Sequence, residues 1–282
     1  MKKLFDSHVY EDSIDVAKNM TGSYETSVTF HCWWDGELND KHLYSIKSFY
    51  LFNVVNKPHK IVLWTTSITN ESYFEEIKKF ATIRIFNLEE EKIGTPFENI
   101  TYVRKEYTEC INLKKSLFSD YVRYLLLCKY GGCWFDLDCF CLRSLDPLFN
   151  KYSNEICVYQ WSYTNTPNAA IYIALEQNKE KMKKNIEFII KRNNGWGFRE
   201  AGLTYDLDLD MLVLPCGWFD PFFSKMLEHQ GHDIFTNIEG NITLEEYFPG
   251  SFCHHWHNRW YKPIDESSIF RKLCNDVDKR LH

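Results

Sequence analysis

The chain has 282 residues, with 33 Lys and Arg against 39 Asp and Glu, for a formal charge of −6. Its length allows one large domain or two small ones, and 44% hydrophobic residues suffice for a buried core, which excludes a disordered chain. An acidic balance without a long Lys/Arg block argues against a protein that grips nucleic acid by neutralising phosphates, so an anionic ligand has to be met locally.

Aromatic residues make up 17% of the chain, which means either an aromatic-rich core or surfaces that stack on flat and ring-shaped ligands. The ten cysteines follow no paired CxxC spacing. The N-terminal MKKLFDSHVYEDS carries charges where an apolar export segment would lie, and no apolar run reaches the ~18 residues of a membrane span. Reduced thiols, a cytoplasmic location and no transmembrane segment are therefore expected.

Residues 1–26 are polar and mixed and show no pattern. SVTFHCWW (27–34) is β-branched and aromatic, runs into Asp35-Gly36, and is predicted as the first core strand. Asn39 or Asp40 can cap a following helix whose apolar residues Leu43, Ile46, Phe49, Tyr50 and Phe52 recur at helical spacing. HKIVLWT (59–65) reads as a second strand, 71–80 as a helix and ATIRIF (81–86) as a third strand. Strand and helix in alternation predict an α/β domain with a mostly parallel sheet. A helix over about 111–130 ends at Gly131-Gly132, and the strand CWFDLD follows at once. EICVYQW is predicted as a strand, 168–191 as a helix and DMLVLP as a strand, before a C-terminal stretch rich in aromatics and histidine. With no repeat and no linker, one domain over 27–262 and a C-terminal tail or helix over 263–282 are expected.

Chemistry concentrates in SDYVRYLLLCKYGGCWFDLD (119–138). If the strand continues to its end, Asp136 and Asp138 share one face, because side chains alternate with period two. At the carboxyl end of a parallel strand they sit where open α/β sheets bind ligands. Paired carboxylates form a hard oxygen site suited to Mg²⁺ or Mn²⁺, and such ions bind phosphates, so an acidic protein can hold a diphosphate through a cation. A bare DxD is weak evidence: Asp206-Leu207-Asp208-Leu209-Asp210 holds two more copies that read equally well as a solvated edge. The Asp136 copy stands out by its Gly-Gly helix stop and by Asp120 and Arg123, spaced i, i+3 on one helix face, although an intrahelical ion pair explains those two as well.

Ser119, Asp120, Arg123, Tyr124, Leu127, Tyr130, Gly131, Gly132, Trp134, Asp136 and Asp138 together resemble the S-D-x-x-R-Y-x-x-L and Y-G-G-x-Y-x-D-x-D pattern of GT-A glycosyltransferases with a DxD sugar-binding region. This is the family 32-like group, which includes capsular polysaccharide and α-1,4-linking transferases and the glucosylating clostridial toxins. Trp134 departs from the usual Tyr. Phe30-His31-Cys32-Trp33-Trp34-Asp35-Gly36 is similar to the family's first strand, Leu63-Trp64 to a later one, and His254-His255-Trp256-His257-Asn258-Arg259-Trp260 to its C-terminal motif, with Arg259 in place of Ser. The match is thin over 139–250, where Asn168-Ala169 fits but 200–204 keeps little.

The resemblance implies a GT-A fold and a metal-dependent transferase that moves a sugar from a nucleotide-sugar, by family habit a UDP-sugar, to a glycan acceptor with retention of anomeric configuration. It implies Mn²⁺ (or Mg²⁺) on Asp138, with Asp136 on the ribose and donor sugar or on the metal through water. It implies Asp120 and Arg123 on sugar hydroxyls, Trp33 or Trp34 on the base, Asn168 near the reacting carbon and Trp260 on the phosphates. One of His254 and His255 completes the metal site, with His254 preferred. Asp138→Asn is then expected to stop transfer and, for a surface carboxylate, to leave stability near normal. Two other classes compete: a metal-dependent phosphoryl transferase or nuclease, and a carbohydrate-binding module without catalysis.

Overall fold

Alternation along the strands decides the architecture. The computed structural model describes residues 2–3, 10–68, 71–98, 115–161, 167–192, 209–223 and 233–282. Its strands are β1 (Lys2–Lys3), β2 (Thr29–Trp33), β3 (Lys60–Thr65), β4 (Thr82–Ile85), β5 (Gly132–Phe135), β6 (Cys139–Cys141), β7 (Cys157–Gln160), β8 (Pro167–Ala174), β9 (Leu212–Leu214) and β10 (Cys253–His255). The helices are α1 (Tyr10–Lys18), α2 (Asp40–Asn53), α3 (Glu71–Ile77), α4 (Leu88–Glu91), α5 (Lys115–Tyr130), α6 (Asp146–Lys151), α7 (Lys179–Arg192) and α8 (Ile269–Leu281).

Eight strands form one sheet in the order β1-β9-β7-β8-β5-β2-β3-β4. All its pairings are parallel except those of β8, which runs antiparallel to β5 and β7. Odd and even positions bury into different cores, as a sheet covered on both faces requires. Phe30, Cys32, Ile61, Leu63, Cys133 and Phe135 pack on one side with Ile46 and Phe49 of α2. Trp33, Val62, Trp64 and Trp134 pack on the other with Val122, Leu125 and Leu126 of α5 and Ile186 of α7. Trp64 is thus a core residue, 1% exposed.

Residue chemistry sets the element ends. Asn39 is the N-cap of α2, its side chain accepting from Lys41 N–H while His42 reaches back to the cap, a reciprocal box. Gly131 ends α5 in the left-handed region at φ 67°, its N–H donating to Leu127 O at 3.0 Å. Gly132 lies so close to β2 that a Cβ there would meet Thr29 O at 2.2 Å. These two glycines fix the helix-to-strand turn that delivers β5.

The structure differs from the sequence reading in three places. Residues 167–174 form β8 rather than the start of a helix, so Asn168 stands on a strand; Ile171, Tyr172 and Ile173 are β-branched or aromatic and favour the strand that pairs with β5. The strand after Gly131-Gly132 stops at Phe135, so the two aspartates lie beyond it. The N-terminal segment contains α1, anchored by buried Ile14 and Ala17. The Asp206 and Asp208 copies and 200–204 lie outside the described residues.

His31 ties three parts of this frame together. Its Nδ1 accepts from Trp64 Nε1 at 3.1 Å, which fixes the tautomer so that Nε2 donates to Gly131 O at 3.1 Å. Burial, with the charges of Arg84 and Lys60, lowers its pKa to about 4, against the Gly131 bond. A folded pKa below the unfolded value of about 6.5 means that the unfolded chain takes the proton first, so stability is full above pH 6.5 and lost as pH falls toward 4. We predict a His31 contribution to acid destabilisation of about 3 kcal/mol at pH 4. Urea unfolding checks it: His31→Leu is less stable at pH 7.5 by about 2 kcal/mol, because two buried partners are orphaned, yet its stability falls less between pH 6.5 and 4 than that of the wild type.

Candidate active site

Beyond Phe135 the backbone leaves the sheet. Asp136 N–H still donates to Ala170 O of β8 at 2.8 Å, and Cys139 N–H donates to Asp136 O at 3.0 Å, so a turn carries the aspartates between β5 and β6. Strand alternation therefore does not align them. The place is still the carboxyl end of a parallel strand. Trp33 and Trp34 lie at the same end of neighbouring β2, and Asn168, at the start of antiparallel β8, lies there too.

Arg123 organises one side. From α5 its Nη2 donates to Asp136 Oδ1 at 2.8 Å, and its Nη1 lies 3.0 Å from Asp120 Oδ1. The guanidinium stacks over the Trp134 ring at 5.3 Å, and Trp134 Nε1 donates to the same Asp136 oxygen at 2.6 Å. The i, i+3 ion pair expected from sequence is present, and the same arginine also fastens the first aspartate of the DxD.

His255 organises the other side. β10 pairs antiparallel with β6, setting His255 opposite Cys139 and beside Asp138. His255 Nε2 lies 3.1 Å from Asp138 Oδ2, and Asn258 N–H donates to that oxygen at 2.7 Å. Burial pushes the Asp138 carboxyl up, but the His255 charge and hydrogen bond and the Asn258 N–H overcome it, so its pKa is lowered. Burial pulls His255 down, and Asp138 and Asp220 reverse this, raising its pKa to about 9. Without a cation the pair is imidazolium and carboxylate at neutral pH, and a metal ion on Nε2 would take the place of that proton. Asp136 goes the other way: burial and Asp138 raise its pKa against the pull of Arg123.

The expected preference for His254 is not supported by this geometry. Adjacent residues of a strand face opposite ways, and His254 turns into an aromatic core, stacked on Phe248 at 5.8 Å with Nδ1 3.3 Å from the Tyr247 hydroxyl. That parity was available in the sequence, although which face met the aspartates was not. Asp138 is buried at 4% exposure, not a surface carboxylate.

Several neighbours were not singled out from sequence. Tyr159 Oη lies 2.9 Å from His255 Nδ1. Asp220, fully buried, accepts from Trp161 Nε1 at 2.9 Å and lies 2.8 Å from His257 Nε2. A lone acid in the apolar run GWFDPFF was its one signal. His255 is within ligand range of two groups, Asp138 with Cys139 and Asp220 with His257. Burial and nearby carboxylates hold the Cys139 thiol well above its usual range, so it stays protonated and leaves oxygen and imidazole as donors.

An aromatic wall borders the pair. Trp34 packs on His42 (4.2 Å) and Trp260 (4.9 Å), while His42 and Trp260 stack face to face at 4.3 Å and 8°. Trp33 is 6% exposed, edge-on to Phe118 at 5.3 Å. Asn168 Oδ1 accepts from Ala170 N–H at 2.7 Å, and Trp260 Nε1 donates to Asn258 Oδ1 at 3.1 Å. Among the described residues no helix is long and apolar enough to cross a membrane.

The Arg123 bridge yields a test. Arg123→Lys keeps the charge but loses the fork that reaches both carboxylates. We expect it to lower stability by about 2 kcal/mol, less than for a fully buried pair because both acids are partly exposed and can be solvated. Urea unfolding measures this, and a loss below ~0.5 kcal/mol contradicts the bridge.

Residues 53–155 match the family model described as "Glycosyltransferase sugar-binding region containing DXD motif". That span includes Asp120, Arg123, Asp136 and Asp138 and stops before His255 and Trp260. No curated protein sequence matches the chain. Among solved structures, the apo-form glycosyltransferase GlyE of Streptococcus pneumoniae TIGR4 is similar at 15% identity and a TM-score of 0.51, over 90% of this chain and 60% of that one. PaToxG glycosyltransferase aligns at 15% identity over 79% and 76% of the two chains with a TM-score of 0.43. An active-site mutant of LgtC aligns at 10% over 89% and 95% with 0.49. Residues 53–155 are thus similar to the DXD-motif sugar-binding region of glycosyltransferases, and the chain has the GT-A fold.

Proposed function

We propose that the protein transfers a sugar from a nucleotide-sugar donor, a UDP-sugar, to a glycan acceptor, with retention at the anomeric carbon and with Mn²⁺ (or Mg²⁺). The observation that carries the reading is the joining of Asp138, two residues after Asp136 at the carboxyl end of β5, to His255 and the Asn258 N–H of the C-terminal segment that also carries Trp260.

Two carboxylates and one imidazole fit a divalent ion, and the imidazole favours Mn²⁺ over Mg²⁺. Asp136, Asp138 and His255 would hold it, with the Nδ1 of His255 fixed by Tyr159. When bound, the cation supplies charge that stabilises the departing diphosphate.

The chain's own groups do the rest. Asp120, 45% exposed at its side chain, offers an oxygen to a sugar hydroxyl. Arg123 has both Nη atoms engaged, so it acts on the sugar by holding Asp120 and Asp136 in place. Trp34, less buried than Trp33, stacks on the base, and Trp260 covers the phosphates and excludes water. Asn168 beside β5 stands near the reacting carbon. The described cysteines are buried free thiols, in keeping with a cytoplasmic enzyme.

Donor hydrolysis without acceptor tests the reading. Wild type is expected to release sugar slowly from a UDP-sugar with Mn²⁺, and Asp138→Asn to lose at least ~10³-fold in that rate. The variant should stay folded, because its side-chain oxygen still accepts from Asn258 and His255, without its partner, releases its proton instead of remaining a stranded charge. Metal-independent release, or none with any sugar nucleotide, sinks the proposal. Cleavage of a phosphodiester would favour the phosphoryl-transfer class, and glycan binding without turnover the binding-module class.

A further inference from the structure

The turn that carries Asn258 and Trp260 is held from outside the site by a single buried cation. Lys41, on the first turn of α2 and 3% exposed, donates from Nζ to Arg259 O at 2.9 Å, Trp260 O at 3.0 Å and Lys262 O at 2.6 Å. An ammonium has three N–H donors, and three carbonyls use them all. Lys41 is therefore spent on backbone and is not free to bind a phosphate. The Phe235 ring lies 4.3 Å beneath it.

The held segment needs a restraint. His257 and Asn258 adopt left-handed φ of 53° and 55° in succession, a costly state for a non-glycine pair. That conformation aims the Asn258 N–H at Asp138 Oδ2, 2.7 Å away, and leads the chain to Trp260. The residue after Lys41 grips the same segment, since His42 stacks flat on the Trp260 ring. Arg259 is fastened separately, Nε donating to Trp256 O at 2.8 Å and Nη1 pairing with Asp233. Of the charged groups facing Lys41, Arg259 lowers and Asp233 raises its pKa; with burial the largest influence, the value falls to about 8, so the ammonium form prevails at neutral pH.

We propose that Lys41 is a positioning residue for donor binding, latching the 257–262 turn so that Trp260 and the Asn258 N–H stand beside the DxD carboxylates. The inference rests on the glycosyltransferase reading for its ligand but not for its geometry.

Hydrogen exchange and donor kinetics on Lys41→Met test it together. In ligand-free protein, amides of 257–262 should exchange at least tenfold faster than in wild type, while those of β2 and β3 keep their rates. With a UDP-sugar and Mn²⁺, KM should rise about tenfold with kcat within about twofold. If Lys41→Met does not fold, Lys41→Gln, which keeps two N–H donors, should show the same pattern at smaller size. Unchanged exchange in 257–262, exchange raised equally in β2 and β3, or a KM equal to wild type overturns the latch. Should wild type turn over no sugar nucleotide, the functional reading fails, whereas the exchange comparison still decides whether Lys41 restrains the turn.

Discussion

The short ladder between β6 and β10 is the constraint on which the site depends. It seats the imidazolium of His255 against the carboxylate of Asp138, two buried charges that tolerate burial because each answers the other and because the Asn258 N–H satisfies a further lone pair. Removing the C-terminal partner would leave the second aspartate of the DxD unanswered. The sheet delivers the DxD to its carboxyl edge, and the C-terminal segment brings His255 and the Asn258 N–H to it.

Around that pair the carboxylates are kept distinct. Asp136 is bound by Arg123 and Trp134 on the α5 side, and Asp138 by His255 and Asn258 on the β10 side. Each carboxylate is oriented by groups from a different part of the chain, so neither can collapse onto the other's partner.

What was legible in the sequence was local. The strand and helix alternation through β4 and the Gly131-Gly132 stop follow from periodicity and backbone freedom and stand where the pattern places them, and of the two caps the sequence allows, Asn39 and Asp40, the structure uses Asn39. The Asp120, Arg123 and Asp136 grouping was legible in part, because i, i+3 spacing shows a helix face but not what lies opposite. What was not legible depends on pairing at long range. β8 is an exception, because Ile171, Tyr172 and Ile173 carry a β-branched and aromatic strand signal that a helix over 168–191 overlooks, and pairing with β5 completes it. The choice between His254 and His255 turns on which face of β10 meets Asp138, and Lys41 gives no sign of its role, since a lysine on a first helical turn is ordinarily solvated.

The Asn258 to Asp138 bond spans 120 positions. The site is therefore completed by a contact between distant parts of the chain, of the kind that forms slowly compared with contacts inside a helix. Without residues 253–258 in place, the DxD turn lacks both the His255 imidazole and the Asn258 N–H.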